Sequence, residues 1–138
     1  MEDKMETLQE FELQKAQIKT LTENLELMEV SINELQNVKE GLNALKDAKE
    51  GSEILVPMGA DSFVTAEVKD TKNVIIGLGA GIAAKKSIDE ATKDIEGRIM
   101  GLEEIKKKST DKLEQAAKKY EEIAPRVQEI VENMQKEG

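Results

Sequence analysis

Apolar residues recur at steps of three and four through the first third of this chain and again through the last. The first series contains Leu8, Phe11, Ile18, Leu21, Leu25, Met28, Ile32, Leu35, Val38, Leu42 and Leu45, with Lys15 as its one polar member. Its mean step is about 3.4 residues, below the 3.6 of a straight helix, which predicts a left-handed coiled coil. At two places, centred on Ile18 and on Leu35, one three-residue step directly follows another, which predicts local overwinding of the coiled coil.

The second series predicts a coiled-coil helix of similar length. It contains Ile88, Ala91, Ile95, Ile99, Leu102, Ile105, Ser109, Leu113, Ala116, Tyr120, Ile123, Val127, Ile130 and Met134. Ser87 is placed as an N-cap with Glu90 completing a capping box, and Pro125 should kink the helix or loosen its last turns. Two helices of similar length, joined by a compact strand region, are expected to fold back on each other as an antiparallel pair. The lysines at 106–108 should face solvent or pair with Glu26 or Glu29 across the helices.

Between the helices the period changes from helical to two. Gly51 is expected to end the first helix in a left-handed conformation. The segments that follow, EILVPM, SFVTAEVK, NVIIGL and GIAAKK, predict four short strands. The segments MGAD, DTKN and GAG between them are rich in turn residues. Pro57 cannot donate a ladder hydrogen bond, so the first strand should lie at an edge or carry a bulge.

The glycine-rich stretch VIIGLGAGIAAKK, residues 74–86, satisfies the loose dinucleotide pattern G-x-G-x-x-G/A. A dinucleotide fold needs a second parallel strand after the crossover helix, and everything after Ser87 has the pattern of one helix. The P-loop pattern fails too, because Ala84 stands at its second glycine and Lys86 at its hydroxyl position. We therefore interpret Gly77, Gly79 and Gly81 as residues that let two strands turn tightly.

Composition excludes several classes of function. The net charge is −9 and no basic stripe interleaves with aromatic residues, which argues against nucleic acid as a partner. There is no Cys and no His, so thiol chemistry, zinc-cysteine sites and the commonest general base are missing. No run approaches the roughly 18 apolar residues of a membrane span, and the first residues lack the pattern of a leader. We expect an intracellular chain with no enzymatic activity, no cofactor and no metal site.

The segments ILVPMGADSFV (Ile54 to Val64) and GLGAGIAAKKSIDEA (Gly77 to Ala91) resemble the hairpins of the alpha class of prefoldin in its archaeal form. Alpha-class members carry two hairpins and beta-class members one, and four strands are predicted here. The resemblance implies an α+β, mainly α fold: a long antiparallel coiled-coil helical hairpin whose two small β-hairpins, at the connecting end, complete an oligomeric β-barrel. The expected domains are a coiled-coil helix (1–50), a four-stranded oligomerisation region (51–86) and a second coiled-coil helix (87–138).

The resemblance also implies a function. Prefoldin is a cytoplasmic hexamer of two alpha and four beta subunits whose coiled-coil tips hold non-native proteins without ATP and deliver them to a group II chaperonin. This chain would then have beta-class prefoldin subunits, non-native client proteins and the chaperonin as partners, and neither nucleic acid nor membrane. The alternatives are a structural coiled-coil scaffold or filament-forming protein without client binding, and a nucleotide enzyme.

Two sets of residues are candidates for contact with these partners. Because antiparallel pairing brings both chain ends together and helix ends fray, apolar residues there are client-binding candidates, although terminal coiled-coil packing would use the same residues. These are Met1, Met5, Leu8, Phe11, Val127, Ile130, Val131 and Met134. Four short strands leave open edges that another subunit has to cover. The oligomerisation candidates are Ile54, Val56, Phe63, Val64, Val68, Val74, Ile76, Leu78 and Ile82.

Overall fold

The computed structural model describes residues 2–137, which form two long helices separated by four strands. The elements are α1 (Glu2–Asp47), β1 (Glu53–Gly59), β2 (Ser62–Glu67), β3 (Asn73–Gly79), β4 (Ile82–Ser87) and α2 (Ile88–Glu137). The chain divides into two compact units. Of the described residues, the terminal unit contains 2–31 and 102–137, and the central unit contains Ile32–Gly101. The predicted class, mainly α with four short strands, is confirmed.

The terminal unit contains the start of α1 and the end of α2, which pair antiparallel. The ring of Phe11 stacks on that of Tyr120 with centroids 4.6 Å apart. Lys106 Nζ lies 2.5 Å from Glu29 Oε2. Residue numbers therefore increase along α1 while those of the facing residues decrease along α2, which shows that the helices are antiparallel. Both alternatives for the lysine run occur: Lys106 pairs with Glu29, and Lys107 and Lys108 are exposed.

The central unit contains a small core where the helices meet the strands. Leu42 of α1 packs with Ile88, Ala91 and Ile95 of α2, all of them buried. Two residues of the third strand, Val74 and Ile76, pack against this cluster and are half-buried. Ion pairs flank it, from Lys39 to Glu96 at 3.3 Å, from Lys46 to Asp89 at 3.1 Å and from Lys86 to Asp94. Burial of each large apolar side chain stabilises the fold by roughly 1.5–3 kcal/mol. The cluster therefore holds the two helices together beside the strands.

The buried series along the helices is more regular than the apolar series in the sequence. Gln14 is buried and Lys39 half-buried, whereas Lys15 and Val38 are exposed. On α2 Lys106 is half-buried and the neighbouring Ile105 is exposed. With these residues steps of three and four alternate from Phe11 to Leu42 and from Ile95 to Ile130, so the double steps expected at Ile18 and Leu35 are absent from the buried series. Consecutive three-residue steps occur instead near the ends of α1, at residues 8, 11 and 14 and at residues 39, 42 and 45.

The reason is that backbone geometry, and not side-chain type, decides which residues face the seam. A lysine can lay its aliphatic stem along an apolar surface and keep its ammonium at the rim. Lys39 and Lys106 each do so beside a glutamate of the other helix, at 3.3 and 2.5 Å.

Each pair of strands forms an antiparallel hairpin. β1 pairs with β2 from Glu53↔Glu67 to Gly59↔Ser62, and β3 pairs with β4 from Asn73↔Ser87 to Gly79↔Ile82. Hairpin 1 (residues 53–67) and hairpin 2 (residues 73–87) each contain a bulge two residues before the turn. Both alternatives predicted from Pro57 occur, since β1 is an edge strand of a two-stranded sheet and the register shifts between Pro57 and Gly59, at Met58.

Local signals at the helix ends are confirmed in part. Gly51 has the predicted positive φ of 85°, but α1 ends at Asp47, and Gly51 lies in a separate turn in which Ser52 N–H donates to the Lys49 carbonyl at 3.0 Å. Ser87 caps α2, since its Oγ accepts from Glu90 N–H at 3.2 Å. α2 continues through Pro125 to Glu137.

Candidate functional site

Hairpin 1 exposes apolar side chains on both faces. Paired residues of a hairpin point to the same side, so the Val56–Val64 pair lies on one face and the Pro57–Phe63 pair on the other. Ile54, Val56, Val64 and Phe63 are all exposed. No other element of the central unit covers them, so this hairpin presents two uncovered apolar faces and two free edges.

Hairpin 2 exposes only part of its predicted residues. Val74 and Ile76 face the core cluster, whereas Leu78 and Ile82 near the turn are exposed. The inner face of this hairpin therefore packs against the helices of its own chain. Its outer face, with Ile75 at 77% exposure, is open.

Val68 is placed differently from the other oligomerisation candidates. Its side chain is buried, and its N–H donates to the Ser52 carbonyl at 2.9 Å while its carbonyl accepts from Gly51 N–H at 2.8 Å. These two bonds close the base of hairpin 1 on its own chain. Val68 thus anchors the hairpin and does not lie on the uncovered surface.

Three exposed apolar residues of the hairpins are not among the oligomerisation candidates predicted from the sequence: Leu55, Met58 and Ile75. Leu55 and Ile75 occupy the alternate positions of apolar runs. A strand with one buried and one solvated face is expected to have polar residues at these positions, so they were not identified as candidates. Met58 is the bulge residue, between the pairs formed by Pro57 and Gly59. Alternation cannot indicate on which side a bulged residue lies.

The candidate client-binding residues divide into three groups. Met5, Val131 and Met134 are exposed, and Leu8 and Phe11 are half-buried. Val127 and Ile130 are buried, at 8% and 6% exposure. Met1 lies outside the described residues. Because Phe11 faces Tyr120, the chain on the N-terminal side of Phe11 and that on the C-terminal side of Tyr120 extend to the same end of the terminal unit. The exposed set of three, here called the tip residues, therefore shares one end.

Asp70 organises the linker between the hairpins. Its Oδ1 accepts from the N–H groups of Lys72 at 2.8 Å and Asn73 at 3.0 Å. The two backbone hydrogen bonds, that of Lys72 first, lower the pKa of the Asp70 carboxyl below its ordinary value of 3.8. Lys85 of hairpin 2 lies 3.6 Å from the same carboxylate. The start of β3 is thus fixed by one ionised side chain.

The terminal unit has a groove beside its seam. The groove, of about 550 Å³, is lined by Gln14, Gln17, Thr20, Leu21, Lys112 and Ala116 among others. Gln14 Oε1 is buried in the seam without a hydrogen-bond partner. In the same unit the hydrogen bond to Glu29 raises the pKa of Lys106 above 10.5. Neither described helix contains an apolar stretch long enough to cross a bilayer.

Comparison with known proteins gives one consistent family. The model of the family described as Prefoldin subunit matches residues 14–133. Prefoldin subunit alpha of Pyrococcus horikoshii is 38% identical over 122 residues, which cover 88% of this chain and 82% of that protein. Prefoldin subunit alpha of Methanopyrus kandleri is 45% identical over 87 residues, covering 63% of this chain and 55% of that one.

A solved structure has the same fold. It is the cryo-EM structure of filamentous PFD from Methanocaldococcus jannaschii, which superposes with a TM-score of 0.73 at 25% sequence identity. The match covers 86% of this chain and 98% of the other. The helix pair and its hairpins are therefore an arrangement that occurs in an assembled protein.

Proposed function

Because the chain belongs to the prefoldin family, and within it to the alpha class of the archaeal type, we propose that it is a subunit of an ATP-independent holdase acting in the cytoplasm. The tips of the helix pair hold non-native proteins, and the complex passes them to a group II chaperonin. Hairpins 1 and 2 join the chain to beta-class subunits in a hexamer of two alpha and four beta.

The observation that carries the proposal is the exposure of the tip residues Met5, Val131 and Met134 at one end of the terminal unit. Each unfolded client offers apolar side chains in no fixed arrangement, and the unbranched, polarizable side chain of methionine adapts to such surfaces. One tip gives a weak contact, since a buried apolar side chain contributes only about 1.5–3 kcal/mol. Several tips on one assembly raise the avidity without a new kind of contact.

The test replaces the tip residues while leaving the seam intact. A chain carrying Met5→Ser, Val131→Ser and Met134→Ser should assemble normally but lose most of its ability to keep a denatured client from aggregating. Light scattering of a diluted, guanidinium-unfolded client without ATP measures this. Point substitutions are preferable to truncation, because removing residues 127–138 would also remove the buried Val127 and Ile130.

The matched control removes three exposed apolar side chains away from the tips. Leu27, Val30 and Met100 are exposed on the helices, and their replacement by Ser changes the surface by a comparable amount. The control should protect the client as the unmodified chain does. Equal loss in both variants would mean that any exposed apolar residue serves, and no loss in the tip variant would place the client site elsewhere.

Assembly with beta-class subunits is tested by mass. The uncovered faces of hairpin 1 and the free edges of both hairpins should leave the chain unstable as a monomer. Mixing with a beta-class subunit should give a single species of two alpha and four beta chains in native mass spectrometry. Replacement of Val64 and Ile76 by Asp should prevent it, and a species of unchanged mass would refute a role for the hairpins.

A second candidate function is a filament of this chain alone without client binding. The superposition on filamentous PFD favours it, because the shared fold in that protein is part of a filament. Negative-stain microscopy of the isolated chain distinguishes the two functions. Long, regular filaments without protection of a client would support the structural role, and discrete particles that protect a client would exclude it.

A further inference from the structure

One polar side chain is buried in the seam of the terminal unit, and it borders the groove described above. Gln14 is 6% exposed, and among the described residues it is the only polar one that is buried. Its Oε1 has no hydrogen-bond partner, a cost that an apolar side chain in the seam would avoid. Residues that break such a rule of folding tend to lie at functional sites. The unpaired amide therefore points to a group that occupies the groove.

The rim of this groove is positively charged, although the unit around it is acidic. Residues 2–31 and 102–137 contain 17 acids and 11 bases, a net charge of −6, yet the described lining of the groove contains two lysines and no acid. The lysines are Lys112 and Lys119, and both are exposed. Neither forms an ion pair with another residue in the described part of the chain. Both ammonium groups are therefore available to an anion from another molecule.

The rest of the polar lining consists of amides and one hydroxyl. Gln17 and Thr20 lie on α1 and Gln115 lies on α2, and all three are exposed. A glutamine amide both donates and accepts hydrogen bonds, as the backbone of a polypeptide does. Gln14 can contribute as well, because rotation of its terminal amide exchanges the positions of Oε1 and Nε2. This lining suits a peptide whose backbone N–H and carbonyl groups are unpaired.

The spacing of the two lysines indicates the conformation of such a peptide. Lys119 follows Lys112 by seven residues of α2, which is about 10 Å along the helix axis. In a polyproline II helix, residues three apart lie on the same side at about 9.3 Å, and the backbone makes no internal hydrogen bonds. In a β-strand, residues on one side are two or four apart, at about 7 or 13 Å. Two carboxylates three residues apart on a polyproline II segment therefore match the two ammonium groups.

Nucleic acid suits the groove less well than a peptide does. The described lining contains no aromatic ring on which a base could stack and no arginine to bind a phosphate. The acidic unit repels a polyanion along its whole length, whereas a short segment with isolated acids meets mainly the two lysines. Charge and lining together therefore favour a polypeptide segment.

We propose that this groove binds acidic segments of unfolded polypeptides, with two carboxylates three residues apart in the polyproline II conformation. Lys112 and Lys119 bind one carboxylate each. The amides of Gln14, Gln17 and Gln115 form hydrogen bonds with the backbone between them. Polyproline II is a major conformation of unfolded chains, so the groove adds a polar contact to the apolar contact at the tips. The inference rests on the proposed function only for the source of such chains.

The test is an NMR titration of the full chain with short peptides. A peptide containing Glu-Pro-Pro-Glu should shift the side-chain amide signals of Gln17 and Gln115. Its Kd should be about 0.1–1 mM at about 50 mM salt, because exposed ion pairs are weak. Two peptides of equal length are controls, since Gln-Pro-Pro-Gln lacks the charges and Glu-Pro-Glu-Pro places them two residues apart. Both should bind about fivefold more weakly or worse, and high salt should weaken the first peptide most.

Variants of the chain assign the binding to the groove. Lys112→Gln with Lys119→Gln should weaken binding of the Glu-Pro-Pro-Glu peptide about tenfold. The matched control is Lys107→Gln with Lys118→Gln, which removes two exposed lysines of the same helix outside the groove and should leave the Kd unchanged. Gln14→Leu should weaken binding while it stabilises the seam, a combination that a residue with only a structural role does not produce.

Equal binding of the three peptides, or an unchanged Kd after replacement of Lys112 and Lys119, would overturn the proposal. So would a complete absence of shifts, or an equal response to inorganic pyrophosphate, which would indicate a site for any anion. The client-protection test replaces other residues, at the tips. Failure of peptide binding with intact protection would therefore refute this inference alone, and peptide binding without any effect of the tip variant would refute the tip hypothesis alone.

Discussion

The buried Gln14 should weaken the seam of the terminal unit, and Gln14→Leu should strengthen it. Gln14 is 6% exposed, and its Oε1 has no partner. Leaving a buried acceptor unpaired costs roughly 1–3 kcal/mol. Leucine has nearly the volume of glutamine and fits a coiled-coil seam, so the substitution removes this cost without overpacking.

Hydrogen exchange measures the effect where it occurs. If the amides around position 14 exchange through local opening of the helix pair, a gain of about 1–3 kcal/mol slows them by about 5- to 150-fold. Amides of the central unit, such as those around Leu42, should change little because they open with a different cooperative unit. Gln17→Leu is the matched control, since Gln17 is exposed on the same helix and its replacement adds the same apolar group outside the seam.

Faster exchange in Gln14→Leu, or equal slowing in both variants, would refute the reasoning. The first result would mean that Gln14 makes a favourable contact that leucine cannot replace. The second would mean that helix propensity, and not the seam, sets the rate.

Three further predictions concern the central unit. Leu42→Ala should destabilise the oligomer by about 2–5 kcal/mol in chemical denaturation, because Leu42 lies in the core cluster; a loss below about 1 kcal/mol would show that the core is dispensable. Ala80→Asn should stabilise hairpin 2 by a few tenths of a kcal/mol or more, since Ala80 has φ of 53° and Asn-Gly is favoured in such a turn; reduced amide protection in β4 would contradict this. Because the folded pKa of Asp70 is lowered from 3.8, its stabilisation is present above pH 3.8 and is lost as the pH falls through the lower folded value. Asp70→Ala should remove this part of the pH dependence from the exchange rate of the Asn73 amide. An unchanged pH profile of that rate would show that the hydrogen bond from Asn73 N–H to Asp70 Oδ1 does not stabilise the start of β3.

The sequence predicted the elements well because their signals are local. Heptad periodicity, the Ser87 cap and the bulge at Pro57 each depend on a few neighbouring residues, and the structure contains all three. Errors arose where side-chain type and helix geometry disagree. Val38 and Ile105 are apolar and were assigned to the seam, yet the regular step places Lys39 and Lys106 there.

The candidate site was predictable only at the level of segments. Which terminal residues are exposed depends on the register of α1 against α2, and no local signal gives that register. The apolar series includes Val127, Ile130 and Met134 and omits Val131; the structure buries the first two, but Met134 is exposed like Val131. The client-binding role of the tips therefore stays a prediction, and the structure supplies the residues with which to test it.

Hairpin 2 repeats the residue pairs of hairpin 1 at an offset of 20 residues, so a comparison of the two indicates which residues determine the shared backbone. Positions that shape the turn are alike in both copies, since Gly59-Ala60 and Gly79-Ala80 all have positive φ. Asp61, at the position equivalent to Gly81, also has a left-handed conformation, with φ of 59°, which aspartate tolerates. Residues on the outer faces are not alike. The inner faces differ as well, because Lys86 stands at the position equivalent to Ala66 and pairs with Asp94 of α2. Part of the divergence therefore follows from the packing of hairpin 2 against its own helices, since the backbones of the two hairpins fold the same way.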